Sequence, residues 1–407
     1  MSGFGIDASE GKFFQSLGTR FWKYVDRVIA YIYNYFKFQT KPIDNHKIMM
    51  LTSRGSYNCN PKAVAEEIRR QKLPYKIVWV VRKENLMNHE NYPKNLKLVQ
   101  RGSYDFYKEA ATSKVWIDNS VTFTYLFTHK RKKQVLIETW HGSFGLKKFD
   151  ETVNNNKYWV KKAYQEGKMT DYCLTNCKFE EELFRSTFWK NAEMLPYGHP
   201  RNDMLFQMDS KENQKLQNSI RKKYHIDKDT HILLYAPTYR EQSGAALVEL
   251  AYDDVVEALE KRFGGKWLIM VRYHFLDRLY ANLDKTNNNI VNVTNYPDIQ
   301  DLMLVADIGL TDYSSWIYDY FFTKRPGFLY VPDIDLYTEK DREFLFPIET
   351  TPFPIGKTNK ALCEKILNFD EEQYKKDYQV FYDKMQCYEE GHACERLVEK
   401  LKEIMSE

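Results

Sequence analysis

What most constrains this chain is an alternation that runs through it twice. Short apolar stretches rich in β-branched residues are each followed by a helical pattern, and the series restarts after about residue 215. Lys47 to Leu51 reads as a strand. Pro61 opens a helix running to about Lys72, with proline at its favoured first position. Tyr75 to Val81, Val115 to Ile117 and Val135 to Ile137 read as further strands. In the second series His231 to Ala236 predicts a strand and Leu247 to Phe263 a helix, broken by Gly264-Gly265. Trp267 to Arg272, Asp307 to Leu310 and Gly327 to Val331 predict strands, with helices over Ile299 to Val305 and Ser314 to Phe322. Residues 371–405 predict charged helix. Strand–helix–strand order implies parallel sheets covered by helices. A chain of 407 residues exceeds the roughly 250–300 that one core accommodates. The expectation is therefore two sequential α/β domains facing across a cleft, with ligands beyond the carboxyl ends of the strands.

Residues 1–45 differ. Phe14, Leu17, Phe21, Val25, Val28, Ile32 and Phe36 recur at spacings of three and four, which places one apolar stripe on a helix. Arg20, Lys23, Arg27 and Lys37 add positive charge, and aromatic residues flank the stripe. Such a helix can lie in a membrane interface; packing on the protein's own core is the alternative. Pro42 ends the segment. No run of about 20 uncharged apolar residues exists to span a bilayer, and no secretory leader pattern is seen. The net charge of +4 is nearly balanced and argues against nucleic acid as the partner. Six scattered cysteines lack the spacing of a zinc site and suit a reduced, cytosolic protein.

Five segments have residues suited to chemistry. Glu138-Thr139-Trp140-His141-Gly142-Ser143-Phe144-Gly145-Leu146-Lys147-Lys148 directly follows a strand. His141 beside Gly142 is suited to exchange a proton near neutral pH, and Lys147 and Lys148 are suited to phosphate. A His bonded to backbone in a structural turn is the alternative. Val271-Arg272-Tyr273-His274 ends a buried strand, where Arg272 and His274 suit a diphosphate leaving group. Leu310-Thr311-Asp312-Tyr313-Ser314-Ser315 sits between a strand and the helix reaching Asp319. Its hydroxyls and free N–H groups suit phosphate, and the same residue types are ordinary helix caps. Tyr197-Gly198-His199-Pro200-Arg201-Asn202-Asp203 lies where the chain leaves the first domain, and Tyr235-Ala236-Pro237-Thr238-Tyr239-Arg240 follows a strand. Both allow either an architectural role or a place in the cleft. No Asp-x-Asp cluster falls in these segments, so no metal and no cofactor is expected.

In this order and at these separations, the five segments resemble the CDP-glycerol glycerophosphotransferase family of teichoic-acid and capsule polymer enzymes. The stretch Ser53-Arg54-Gly55-Ser56-Tyr57-Asn58-Cys59-Asn60-Pro61-Lys62-Ala63 resembles that family's first loop and helix. So does Tyr388 to Arg396, through Gly391, Ala393, Glu395 and Arg396. The resemblance covers about residues 47–400 and implies a GT-B fold of two Rossmann-like domains. It divides the chain into an amphipathic segment (1–45), an acceptor domain (46–212), a CDP-donor domain (213–372) and C-terminal helices (373–407). It implies transfer of a polyol phosphate from CDP-glycerol, or CDP-ribitol, to a lipid-linked saccharide or a growing polyol-phosphate chain, with release of CMP. It also implies a place on the cytoplasmic face of a bacterial membrane. By the same resemblance His141 is the general base and His274 stabilises the donor diphosphate. Arg240, Arg272, Thr311, Asp312, Ser314, Ser315 and Asp319 fall on the donor side, and Gly142, Lys147, Arg201 and Asp203 elsewhere in the cleft. Many members have Thr-Pro-Leu-Lys after His-Gly, where this chain has Ser143 to Lys147, and that loop borders the acceptor.

Overall fold

The computed structural model describes residues 25, 28–29, 37–126, 128–144, 147–148, 157–238, 249–273, 289–340 and 343–406. The amphipathic stripe read from residues 12–38 falls largely outside them, as do Arg240 and His274.

Seven strands form the first sheet: β1 (Asp44–Met50), β2 (Lys76–Val81), β3 (Lys97–Gln100), β4 (Ser113–Asp118), β5 (Val135–Glu138), β6 (Tyr172–Leu174) and β7 (Glu193–Leu195). Their order is β3-β2-β1-β4-β5-β6-β7, all parallel. The second sheet contains β8 (Thr230–Tyr235), β9 (Lys266–Val271), β10 (Ile290–Asn292), β11 (Ile308–Thr311), β12 (Gly327–Tyr330) and β13 (Ile355–Gly356). It runs β10-β9-β8-β11-β12-β13, again all parallel.

The central strands are apolar on both faces because helices cover both. Ile48, Met50, Ile77, Trp79 and Val81 join one core, while Met49, Leu51, Val78 and Val80 join the core on the opposite face. That split by alternate residues is what a parallel strand buried on two sides requires. Strand order reverses between β1 and β4 in the first sheet and between β8 and β11 in the second. Loops leaving the carboxyl ends at such reversals splay apart and open a crevice.

Five helices matter for the site. Helix α1 (Cys59–Arg70) begins after the extended Asn58 and ends with Arg69 and Arg70 against its negative pole. Helices α2 (Ile299–Val305) and α3 (Trp316–Tyr320) follow β10 and β11. Helix α4 (Glu371–Met385) buries Tyr374, Tyr378 and Phe381 in the core of the second sheet. Helix α5 (Ala393–Ser406) crosses back, and its Leu397, Val398 and Leu401 enter the core of the first.

Three expected elements differ. The helix expected from Leu247 begins only at Tyr252, because the tyrosine follows a stretch in which Leu250 is buried and Ala251 N is held by the Asn359 side chain. The helix expected over Ser314 to Phe322 shortens to α3 followed by a 3₁₀ turn at Phe321–Thr323. The expected helix over 371–405 breaks at Gln386, which adopts φ +50°, and at Gly391. Between them Cys387 pairs with Cys177 of the first domain in a single β-bridge.

Candidate active site

The two crevices bring their loops together. From β1, Ser53 N donates to Asn119 Oδ1 (2.9 Å) in the loop after β4, so both loops at the first reversal are tied. Gly55 makes the sharp return possible: its φ is +73°, and a Cβ there would lie 2.8 Å from Arg82 N.

His141 stands three residues beyond β5. His141 is exposed to solvent, with protein atoms crowding one side of the ring. Nδ1 lies 2.6 Å from the Asn119 carbonyl oxygen. A carbonyl can only accept, so Nδ1 has the proton and the lone pair is on Nε2. Burial pushes the ring's pKa down to about 4, and the positive charges of Arg201 and Arg54 add to this. At pH 7 the imidazole is neutral, the form a general base needs. The Trp140 ring lies beside it, tilted by 38°, at 4.5 Å between ring centroids.

The backbone around His141 is unusual. Trp140 (φ +50°) and Phe144 (φ +54°) both take left-handed conformations without being glycine. Beneath them, the Glu138 side chain accepts from Trp140 N (2.7 Å), and Asp118 accepts from Asn119 N, Ser120 N and Thr122 N. Burial and mutual repulsion with Glu166 push the carboxyls of Asp118 and Glu138 up, well above the ordinary range. Phe144 then leaves the first domain altogether. Its ring is 0% exposed and packs edge-on to Tyr318, Phe321 and Phe381 of the second, at 5.5, 6.1 and 5.7 Å.

Asp319 meets this loop from the other side. Expected near the donor, it is 4% exposed and sits in a network between the domains. It accepts from Arg201 Nε (3.0 Å) and Nη2 (3.1 Å), Asn202 Nδ2 (3.0 Å), Gln300 Nε2 (3.2 Å) and the Ser143 hydroxyl. Arg201 reaches on to the Gly142 carbonyl (2.9 Å). The Asp203 carboxylate accepts from Ala393 N and Cys394 N and so caps α5. A second bridge between domains joins Lys62 to Asp298 (2.7 Å) and Asp301 (3.2 Å).

On the second domain's edge, Thr238 N donates to both oxygens of Asp312 (2.9 and 3.1 Å), tying the loops at the second reversal. The Thr311 hydroxyl donates to the Ala236 carbonyl and accepts from Trp316 Nε1, so it serves the fold. Ser314 and Ser315 are half-buried, and neither hydroxyl has a partner among the described residues. Arg272 donates through Nη2 to the Tyr296 carbonyl (3.2 Å), while its buried Nε has no partner among the described residues. Two strand spacings separate β9 from β11, so Arg272 and Ser314 start roughly 10 Å apart. Lys147 of the first domain reaches across to Thr238 Oγ1 (3.5 Å) and to the Tyr337 ring.

The chain matches known proteins over most of its length. The profile of CDP-Glycerol:Poly(glycerophosphate) glycerophosphotransferase matches residues 33–403. The chain belongs to this family. The transferase is 28% identical over 404 residues to the teichoic acid poly(glycerol phosphate) polymerase of Bacillus spizizenii (strain W23), covering 95% of this chain and 98% of that protein. It is 28% identical over 388 residues to the teichoic acid glycerol-phosphate transferase of Staphylococcus aureus (strain NCTC 8325), covering 91% and 96%. The solved structure of the wall teichoic acid polymerase TagF superposes with a TM-score of 0.82 at 26% identity, covering 98% of this chain and 99% of that one. The GT-B architecture expected from the motifs is thus the fold of this transferase.

Sequence reasoning missed three side chains of the transferase's first domain. Asn119 has no motif around it and gains its role only when β4 and β1 lie side by side. Ser143 and Asn60 lie inside quoted motifs, yet nothing in their spacing shows that they turn inward to Asp319 and to the His141 loop.

Proposed function

We propose that this transferase moves glycerol phosphate from CDP-glycerol to a membrane-linked acceptor, in synthesis of a teichoic-acid-type polymer, with His141 as the general base. The observation that supports it most is the His141 ring, fixed through Nδ1 by the Asn119 carbonyl and held neutral, which leaves the Nε2 lone pair to take a proton. In the proposed step Nε2 takes the proton of the acceptor hydroxyl. The hydroxyl oxygen forms a bond to the phosphorus bearing glycerol, the diphosphate P–O bond breaks, and CMP leaves. Little covalent chemistry falls to the protein, so alignment and charge stabilisation dominate. Ser314, Ser315 and Arg272 are the donors assigned to the diphosphate, with Lys147 closing on it from the acceptor side. His274 and Arg240 are assigned to the same group by their motifs, although both lie outside the described residues. Asp312 and Thr311 support this rim through backbone contacts, and Asp319 supports it through the side chains of Arg201, Asn202, Gln300 and Ser143.

Glycerol rather than ribitol is favoured because the two relatives compared above are named for glycerol phosphate. The membrane surface as a partner rests on the stripe of residues 12–38. No helix among the described residues is long and apolar enough to cross a membrane. The test is CMP release by the purified protein with CDP-glycerol, CDP-ribitol and sugar nucleotides in turn, using a membrane extract as acceptor. Acceptor-dependent CMP from CDP-glycerol, undiminished by a chelator, is expected. Turnover of a sugar nucleotide with silence from both CDP-polyols would overturn the reading.

A further inference from the structure

Two of the motifs do not reach the reacting groups: the stretch around Asn60 and the Gly198–Asp203 turn. Both converge on the backbone that presents His141. Asn60 is wholly buried in the first turn of α1. Its Nδ2 donates to the carbonyls of Thr139 (2.7 Å) and Trp140 (3.1 Å). Its Oδ1 accepts from the backbone N–H of Arg201 (3.1 Å). Arg201, 3% exposed, donates through Nη2 to the carbonyl of Gly142. The carbonyls before and after His141 are therefore held by two side chains, and that of Asn60 also holds the backbone of Arg201, while Asn119 holds the ring. Non-glycine residues at φ +50° on one side and φ +54° on the other persist only when their surroundings over-determine them. Asn60 and Arg201 supply that determination on the inner side.

We propose that Asn60 and Arg201 are positioning residues for His141, and that Asp319 makes their hold depend on the second domain being docked. The chain of contact is continuous. Asp319 fixes the guanidinium from the donor domain, the guanidinium fixes the Gly142 carbonyl, and Asn60 links Arg201 to the carbonyls of Thr139 and Trp140. A domain shift that withdrew Asp319 would release the loop, so the base is aligned only in the engaged arrangement. The inference rests on the reading of His141 as the base.

The test compares Asn60→Ala and Arg201→Lys with the intact enzyme. Neither substitution alters the charge near His141, and the lysine keeps a cation for Asp319 while losing the fork that reaches Gly142. Two measurements are made on each folded variant: kcat and KM for CMP release from CDP-glycerol, and the His141 ring titration by NMR. A misplacement of about 1 Å at a reacting group costs about 10²-fold. Both variants should lose kcat by about that factor with KM for CDP-glycerol little changed. The ring pKa should rise from about 4 toward the ordinary value near 6.5 as the loop loosens and the neighbouring protein groups draw away from the ring. The other charged or titratable groups facing the ring, Arg54 and His199, remain in both variants. Wild-type kcat and an unmoved titration in both variants would overturn the proposal, as would lower kcat with raised KM and an unmoved titration, which marks a substrate contact. His141→Ala is run beside them. If it keeps its turnover, the base assignment fails, while the titrations still report whether Asn60 and Arg201 hold the ring.

Discussion

The two rims of the cleft are built on opposite principles. On the first domain's rim the groups that hold the His141 loop are paired: Asn119 takes the ring proton, Asn60 and Arg201 take the carbonyls, and Glu138 takes Trp140 N. On the second domain's rim, Ser314, Ser315 and Arg272 Nε have no partner among the described residues. Paired groups fix geometry, which a base requires. An unsatisfied set of donors keeps its hydrogen bonds in reserve for an anion, which a diphosphate-binding surface requires. The same fold thus presents a rigid tool on one side and an open socket on the other.

The contrast can be broken or sharpened by substitution. The largest effect belongs to His141→Ala, which should lower kcat by about 10²–10⁴-fold while CDP-glycerol binding, measured by calorimetry, persists. Phe144→Ala tests whether the rigid rim is anchored in the other domain. Truncating a buried Phe costs about 3–5 kcal/mol, read as a lower midpoint in urea denaturation. Ser314→Ala should act in the reverse sense to His141→Ala. One lost hydrogen bond to a charged group is worth about 1.5–3 kcal/mol, which weakens CDP-glycerol binding about 10–100-fold with the fold intact. An unchanged Kd in both Ser314→Ala and Ser315→Ala would mean the socket lies elsewhere on the rim.

The smallest effect concerns Glu138. Its carboxyl is pushed up by burial and by Asp118, so the folded protein retains a proton that the unfolded chain releases above its ordinary pKa near 4.5. Folded stability from this group is therefore present at acid pH and falls as pH rises from about 4.5 toward the raised value. Glu138→Gln mimics the protonated form and still accepts from Trp140 N. It should change stability by under about 1 kcal/mol at pH 5 and raise it relative to the native protein at pH 8, as thermal melts would report. His141 gives the opposite trend. Its depressed pKa means protonation opposes the fold as pH drops from about 6.5 toward 4.

The sheets were legible in the sequence because central parallel strands are apolar on both faces, as in Lys76–Val81 and Lys266–Val271. Short edge strands such as Ile355–Gly356 and Tyr172–Leu174 have too few residues to show a pattern. At the site, the Trp-His-Gly turn and the Asp-Tyr-Ser-Ser turn were legible because each follows a strand at its carboxyl end. The role of Asp319 was not. One helical turn beyond the serines, it reads as a donor-side residue, and only the packing of two domains turns it toward Arg201, 118 positions away in sequence. Asp203 was hidden in the same way, because capping Ala393 and Cys394 depends on the chain's return to the first domain.

The central claim is that His141 removes the acceptor proton while the opposite rim holds the donor. It is tested most directly by acceptor-dependent CMP release from CDP-glycerol in the intact protein and in His141→Ala, with the Kd for CDP-glycerol measured on both. The account predicts a rate lower by about 10²–10⁴-fold at unchanged Kd. Equal rates in the two proteins would contradict it.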